Sequence, residues 1–139
     1  MPISYLTRVV AFTATHRVAR ADWSPEQNAL EFGEAARDHA HRYECRVTVK
    51  GPLNPASGGV TSLATLDALL AEEITARLHE RHLNDVIPEF APGRWLATGE
   101  ALAVYVWNRL DGRLPLGVAL HAVRVQEGPD IYSEYFGEP

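Results

Sequence analysis

Residues 3–16, ISYLTRVVAFTATH, are rich in β-branched and aromatic side chains, with Tyr5, Val9, Ala11 and Thr13 on one parity, and predict a strand. The polar Ser-Pro stretch at 22–28 reads as a loop, and LEFGEAARD after it is a short segment of ambiguous period. Alternation returns at HAHRYECRVTVKG (39–51), where His39, His41, Tyr43, Cys45, Val47 and Val49 share one face of a second strand. The glycine- and proline-rich stretch 51–59 is a connection. Ser62 is placed to cap a helix over 62–83, in which Leu63, Leu66, Leu70, Ile74 and Leu78 keep helical three- and four-residue spacing. A long loop is predicted over 84–95. A second helix follows from Thr98 to Leu110, with Leu102, Val106 and Leu110 on one face and Tyr105 beside them. The last elements are a third strand over 116–127 and a short fourth over 130–137.

The order ββααββ implies an α+β fold, a four-stranded antiparallel sheet with two helices on one face. No internal repeat or linker interrupts it, so residues 1–139 read as a single domain. Such a sheet has two open edges, which favours association with further copies. Thirteen Lys and Arg against 18 Asp and Glu leave a net charge of −5, which argues against a broad nucleic-acid surface. No apolar run has the length of a membrane span, and the N-terminus lacks the plan of a signal peptide. The single cysteine, Cys45, excludes an internal disulfide and suits a cytoplasmic protein; on its apolar face it reads as inert packing.

Six histidines carry the main chemical signal. His39 and His41 project from one strand face, and His16 closes the first strand, so a pairing of the two strands would bring all three together. Three imidazoles with an open fourth position suit catalytic zinc. The bland alternative is two partly exposed strand histidines and an unrelated third. His121, on the third strand, reads as a structural or surface histidine. Trp107 reads as core, whereas Trp23 and Trp95 fall in loops that suit the lining of a subunit-interface pocket. Arg17, Arg42 and Lys50 are available to meet phosphate oxygens.

The segments AFTATHR (11–17), EQNALEFG (26–33), HAHRY (39–43), HLND (82–85), TGEALA (98–103) and VRVQE (123–127) fall in a familiar order and spacing. With them the chain resembles the 6-pyruvoyltetrahydropterin synthase and 6-carboxytetrahydropterin synthase family over nearly its whole length. The resemblance implies a T-fold that trimerises into a barrel, two trimers stacking as a hexamer. It implies a carbon–oxygen lyase acting on 7,8-dihydroneopterin triphosphate or a related dihydropterin. By the same resemblance His16, His39 and His41 match zinc ligands, Glu127 matches the carboxylate that anchors the pterin, and Glu100 matches a glutamate near that pocket. A carboxylate suits this task because it accepts side-by-side hydrogen bonds from the ring N–H and 2-amino groups. Outside the resemblance, Glu127 would pass for a surface carboxylate at a strand end.

The match breaks at the proton-transfer groups. The family cysteine, four residues before the first histidine of His-x-His, is Ala35 here, with Glu34 beside it. The family Asp-His pair is replaced by His79 and Glu80. Glu80, His79 and Glu34 are therefore the candidate catalytic groups of a rearranged site. Neighbouring helix residues diverge by about 100°, which makes a simple exchange of roles between His79 and Glu80 awkward. Residues 79–82 also fit a solvated helix end. Two alternatives stand beside the lyase reading. One is a non-catalytic zinc- and pterin- or purine-binding homologue; the other is a side-chain-cleaving variant giving 6-hydroxymethyldihydropterin. The pathway stays open among tetrahydrobiopterin-like, queuosine-type and folate-type routes.

Overall fold

The computed structural model describes residues Met1–Pro139. β1 (Ile3–His16) and β2 (His39–Pro52) pair antiparallel along their whole length, from Ile3 opposite Pro52 to His16 opposite His39. β4 (Ala119–Gly128) pairs with the other side of β2, and β5 (Ile131–Tyr135) with β4. The third strand thus begins at Ala119 rather than 116, since residues 115–118 are spent on a turn that includes Gly117 at φ 85.

The expected four strands form, and a fifth joins them. β3 (Arg81–His82) runs parallel to β1 beside Ala14 and Thr15, giving the order β3-β1-β2-β4-β5. Two residues are too few for any alternation to be read. The strand exists because the preceding chain bends sharply: Glu80 takes φ 58, and its N–H donates to the Thr13 carbonyl at 2.6 Å.

Pro25–Phe32 is helical (α1), where the sequence suggested a loop followed by an ambiguous segment. Ser24-Pro25 starts this helix rather than breaking the chain. The Ser24 side chain accepts from the Gln27 N–H, Gln27 reciprocates at the Ser24 N–H, and proline occupies the first turn, where its missing N–H costs nothing. α2 (Leu63–Leu70) is capped by Ser62 as expected and continues through a wide π-helical turn, Ala71–Thr75, into α3 (Ala76–Leu78). The helix therefore stops at Leu78, short of the expected 83, and His79 already has an extended ψ of 129. The stretch expected as a long loop holds α4 (Leu83–Val86) and a 3-10 turn, Pro88–Phe90. α5 (Gly99–Leu110) begins at its Thr98 cap as anticipated.

Parity decides which sheet face is covered. On β1 the buried side belongs to Phe12, Ala14 and His16, with Leu6 and Val10 packed against the core; Tyr5 and Val9 lie on the open side. Tyr43, Cys45, Val47 and Val49 of β2 continue the covered face. Leu66, Leu70, Ile74 and Leu78 close over it together with Leu102, Val106 and Leu110. Cys45 is inert packing, its thiol pushed up to about 12 by burial. Trp107 is only partly buried, against this core and edge-on to Tyr135.

One charged group is enclosed in the helical layer. The Glu73 side chain has no exposed surface and meets Arg109 at 2.8 Å, Arg113 at 3.1 Å and Arg77 at 3.3 Å. Its hydrogen bond from Arg109 holds the carboxyl below the ordinary range. The stability it contributes is present above the ordinary carboxylate range and is lost as pH falls toward the lowered native value. The three arginines remain 37–46% exposed, so removing Glu73 lets them resolvate instead of stranding buried charge. Glu73→Ala is accordingly expected to cost about 1–2 kcal/mol, below the roughly 3–5 kcal/mol for breaking a fully buried pair. Urea unfolding at pH 7 measures it, and the deficit should shrink in acid.

Candidate metal centre and adjoining cavity

Full-length pairing of β1 with β2 puts His16 directly opposite His39, and strand alternation sets His41 on the same face. The three rings meet edge-on, with centroids 4.5 Å apart for His16–His39, 4.7 Å for His39–His41 and 5.1 Å for His16–His41. One potential ligand atom from each lies within 4.8 Å of the others.

Backbone carbonyls orient two of the rings. The Ala97 carbonyl accepts from His16 Nδ1 at 2.7 Å, and the Arg37 carbonyl accepts from His39 Nδ1 at 2.7 Å. With the proton fixed on Nδ1, the Nε2 lone pair is presented for coordination. His16 Nε2 is buried and has no protein partner, which a resident cation would supply. Burial lowers the His16 pKa to about 4 and also lowers that of His41, so both rings are neutral at physiological pH, the form in which imidazole coordinates a metal. Imidazole nitrogens with an open position suit zinc.

The same shift makes a prediction about the metal-free protein. Unfolded His16 takes a proton near 6.5, but the native ring takes one only near 4. Stability should therefore fall as pH drops from 6.5 toward 4, by on the order of 3 kcal/mol from this group. Chelator-treated protein, melted across that range, is expected to show the loss. His16→Phe, which keeps an apolar ring there, should flatten it.

A cavity of about 610 Å³ opens beside the histidines, lined also by Glu34, Ala35, Asp38, Gly99, Glu100 and Glu127. Glu127 enters from the end of β4, near the start of α5. A Cβ added at Gly99 would lie 3.0 Å from Glu127 Oε1, so the glycine keeps room for this carboxylate. Desolvation, then the Glu100 charge, raises the Glu127 carboxyl above the ordinary range. Ser133 on β5 donates to Glu100 at 3.3 Å. Tyr43 lies beneath His16 and His41, its hydroxyl buried without a partner and its pKa raised by burial and by Glu127.

The other sequence candidates separate. Glu34 reaches the cavity wall, next to Ala35. His79 and Glu80 do not line it, and they lie beyond the helix, so the angular argument about neighbouring helix positions does not apply to them. They cap the edge of β1: His79 Nδ1 accepts from the Thr13 N–H at 3.2 Å while Glu80 N–H takes the Thr13 carbonyl. Arg42 and Lys50 alternate with the covered positions of β2 and face the opposite side of the sheet. Arg17 turns instead to Asp38 at 2.9 Å. His121 stacks edge-on with Tyr5 on the open side and serves no metal cluster. Trp95 lines a second, larger hollow of about 800 Å³ with Arg17, Arg20 and Arg94. Trp23 stacks on Phe32.

Sequence reasoning missed the Ala97 and Arg37 carbonyls, Gly99, and the partners of Asp38. Asp38 alone had a signal, its place directly before His39.

The family description 6-pyruvoyl tetrahydropterin synthase matches residues 5–138. The human protein named 6-pyruvoyl tetrahydrobiopterin synthase is 36% identical over 135 residues, covering 96% of this chain and 91% of that one. Its Drosophila melanogaster namesake is 30% identical over 98% of this chain and 81% of its own length. The structure of Caenorhabditis elegans 6-pyruvoyl tetrahydropterin synthase superposes with a TM-score of 0.89 at 28% identity, covering 99% of this chain and 98% of that one. The family match, the identity of these relatives and this superposition agree: the fold is the T-fold, and the chain belongs to the 6-pyruvoyl tetrahydropterin synthase family.

Proposed function

We propose that the protein is a zinc-dependent lyase acting on 7,8-dihydroneopterin triphosphate or a related dihydropterin. The observation that carries this reading is the convergence of three histidines, two of them oriented by backbone carbonyls, on a cavity that also holds Glu127. His16, His39 and His41 hold the metal. Bound there, zinc supplies a positive charge that acidifies the carbon next to a side-chain hydroxyl. Glu127 accepts the paired N–H donors of the pterin ring and so sets its orientation. Glu100 stands beside it and contributes negative charge to that end of the cavity.

Of the three candidate catalytic groups, Glu34 alone lines the cavity of its own protomer, one position from the alanine that replaces the family cysteine, and we propose it as the base. Service by Glu80 or His79 at this chemistry requires a neighbouring copy, since neither reaches the cavity of its own protomer. His79 is the weaker of the two, because its Nδ1 is already engaged by Thr13. The exposed Tyr5, Val9 and Tyr132 and the open edges at β3 and β5 support assembly with further copies, which we propose to be a hexamer of two trimers in the cytoplasm.

A second reading is favoured by one specific observation: Ala35 sits at the cavity wall where a thiol would be expected to act. Under it the protein binds zinc and a pterin or purine without turnover. Incubation of zinc-loaded protein with 7,8-dihydroneopterin triphosphate, followed by mass spectrometry, decides between them. A 6-pyruvoyl, 6-carboxy or 6-hydroxymethyl product supports the lyase and names its branch. Unchanged substrate with zinc bound and the protein folded supports the binding protein.

A further inference from the structure

Asp38 lies on the loop between α1 and β2, directly before His39, and lines the same cavity. Its Oδ1 is doubly held: Arg17 Nη1 donates to it at 2.9 Å and His82 Nε2 contacts it at 3.0 Å. Arg17 follows the last residue of β1, and His82 belongs to β3. Arg17 is itself pinned by its backbone, whose N–H and carbonyl both bond to the Asn84 side chain, at 2.9 and 3.1 Å. Asp38 is thus a half-exposed carboxylate, held by Arg17 just past β1 and by His82 in β3, whose second oxygen takes no hydrogen bond from the protein.

Sheet order places this oxygen relative to the rest of the site. Glu127 comes from β4 on one side of β2, whereas the partners of Asp38 come from β1 and β3 on the other. The metal histidines, at the ends of β1 and β2, lie between. A ligand whose ring is fixed at Glu127 and whose side chain crosses the histidines carries its further side-chain atoms toward Asp38. The general chemistry of a clamped anionic oxygen at the edge of a cavity is to accept a proton donor. A ligand with several hydroxyls offers one there.

We propose that Asp38 is a binding residue of this site, its free carboxylate oxygen accepting a hydrogen bond from a hydroxyl on the side chain of a dihydropterin ligand. Arg17 and His82 are positioning residues that hold the carboxylate in place. The inference rests on the pterin reading above and adds to it a determinant of side-chain specificity.

The test compares two probes on the zinc-loaded protein by calorimetric titration: 7,8-dihydroneopterin, which carries a trihydroxypropyl side chain, and 6-methyl-7,8-dihydropterin, which has none of its hydroxyls. Asp38→Asn is nearly isosteric, and its zinc content and melting temperature are measured alongside. The expected result is an affinity loss of about 10-fold or more for dihydroneopterin with little change for the methyl compound, as befits loss of a charge-assisted hydrogen bond. His82→Phe should give a smaller loss with the same selectivity, and its affinity for the methyl compound should stay level. Equal affinities of Asp38→Asn and the unaltered protein for dihydroneopterin overturn the inference, as does an equal loss for both probes. If the unaltered protein binds neither probe, the pterin reading fails and this inference with it. If it binds both and the variant is indifferent, only the role of Asp38 fails.

Discussion

Under the proposed function, His16→Ala is expected to abolish zinc binding and, with it, turnover. His16 is only 2% exposed and is the most enclosed of the three histidines. Its Nδ1 bond to the Ala97 carbonyl fixes the ring, leaving an Nε2 that no protein group satisfies. Removing the side chain leaves two imidazoles and an empty space, too few ligands for stable tetrahedral zinc. Even changes to groups that merely orient a ligand lower metal affinity roughly 10–100-fold, so loss of the ligand itself should exceed about 100-fold. Zinc content after dialysis, with competition against a chromophoric chelator, reads this directly. His121→Ala is the matched control: that ring stacks on Tyr5 outside the cluster, and its loss should leave zinc content unchanged. Full zinc content in folded His16→Ala would remove the metal assignment.

Glu127→Gln should nearly abolish pterin binding while leaving zinc in place. The carboxylate is half-buried at the cavity wall, in space that Gly99 keeps open. An amide of the same shape presents one donor where the pterin also presents a donor, so the pair of charge-assisted bonds becomes one neutral bond facing a clash. At about 1.5–3 kcal/mol per bond, the expected loss is about 10²–10⁴-fold in affinity. Titration with dihydroneopterin at constant zinc occupancy measures it. In the proposed role Glu127 accepts hydrogen bonds only when ionised, and desolvation with the Glu100 charge raises its pKa. Binding should therefore weaken at a higher pH than an ordinary glutamate would dictate, and Glu100→Gln should move that edge to lower pH. Glu127→Gln binding as tightly as the unaltered protein would leave the anchor without support.

Much of the fold was legible because its signals are periodic. Alternation in 39–51 marked β2 and put His39, His41 and Tyr43 on one face, and the leucine spacing after Ser62 marked α2. Where the signal was chemical rather than periodic it was easy to misread. Ser24-Pro25 looked like a break, although Ser-x-x-Gln with proline in the first turn is an equally good start for a helix. The helical spacing through Leu78 gave no warning of the stop there. That stop depends on Glu80 reaching a left-handed conformation to bond Thr13, a residue 67 positions away in sequence.

The sequence by itself determined the α+β class, the covered face of β2 though not that of β1, and the presence of three histidines on strands that are able to pair. These follow from local periodicity, which each segment carries within itself. The tertiary structure alone decided the rest of the site. It supplied the carbonyls of Ala97 and Arg37 that orient two histidines, the room at Gly99 for Glu127, and the clamp of Arg17 and His82 on Asp38. It also carried His79 and Glu80 away from their own cavity to the edge of β1. The carbonyl contacts use backbone groups that every residue type shares, and the Asp38 clamp joins side chains brought in by separate elements, so no local pattern along the sequence encodes them.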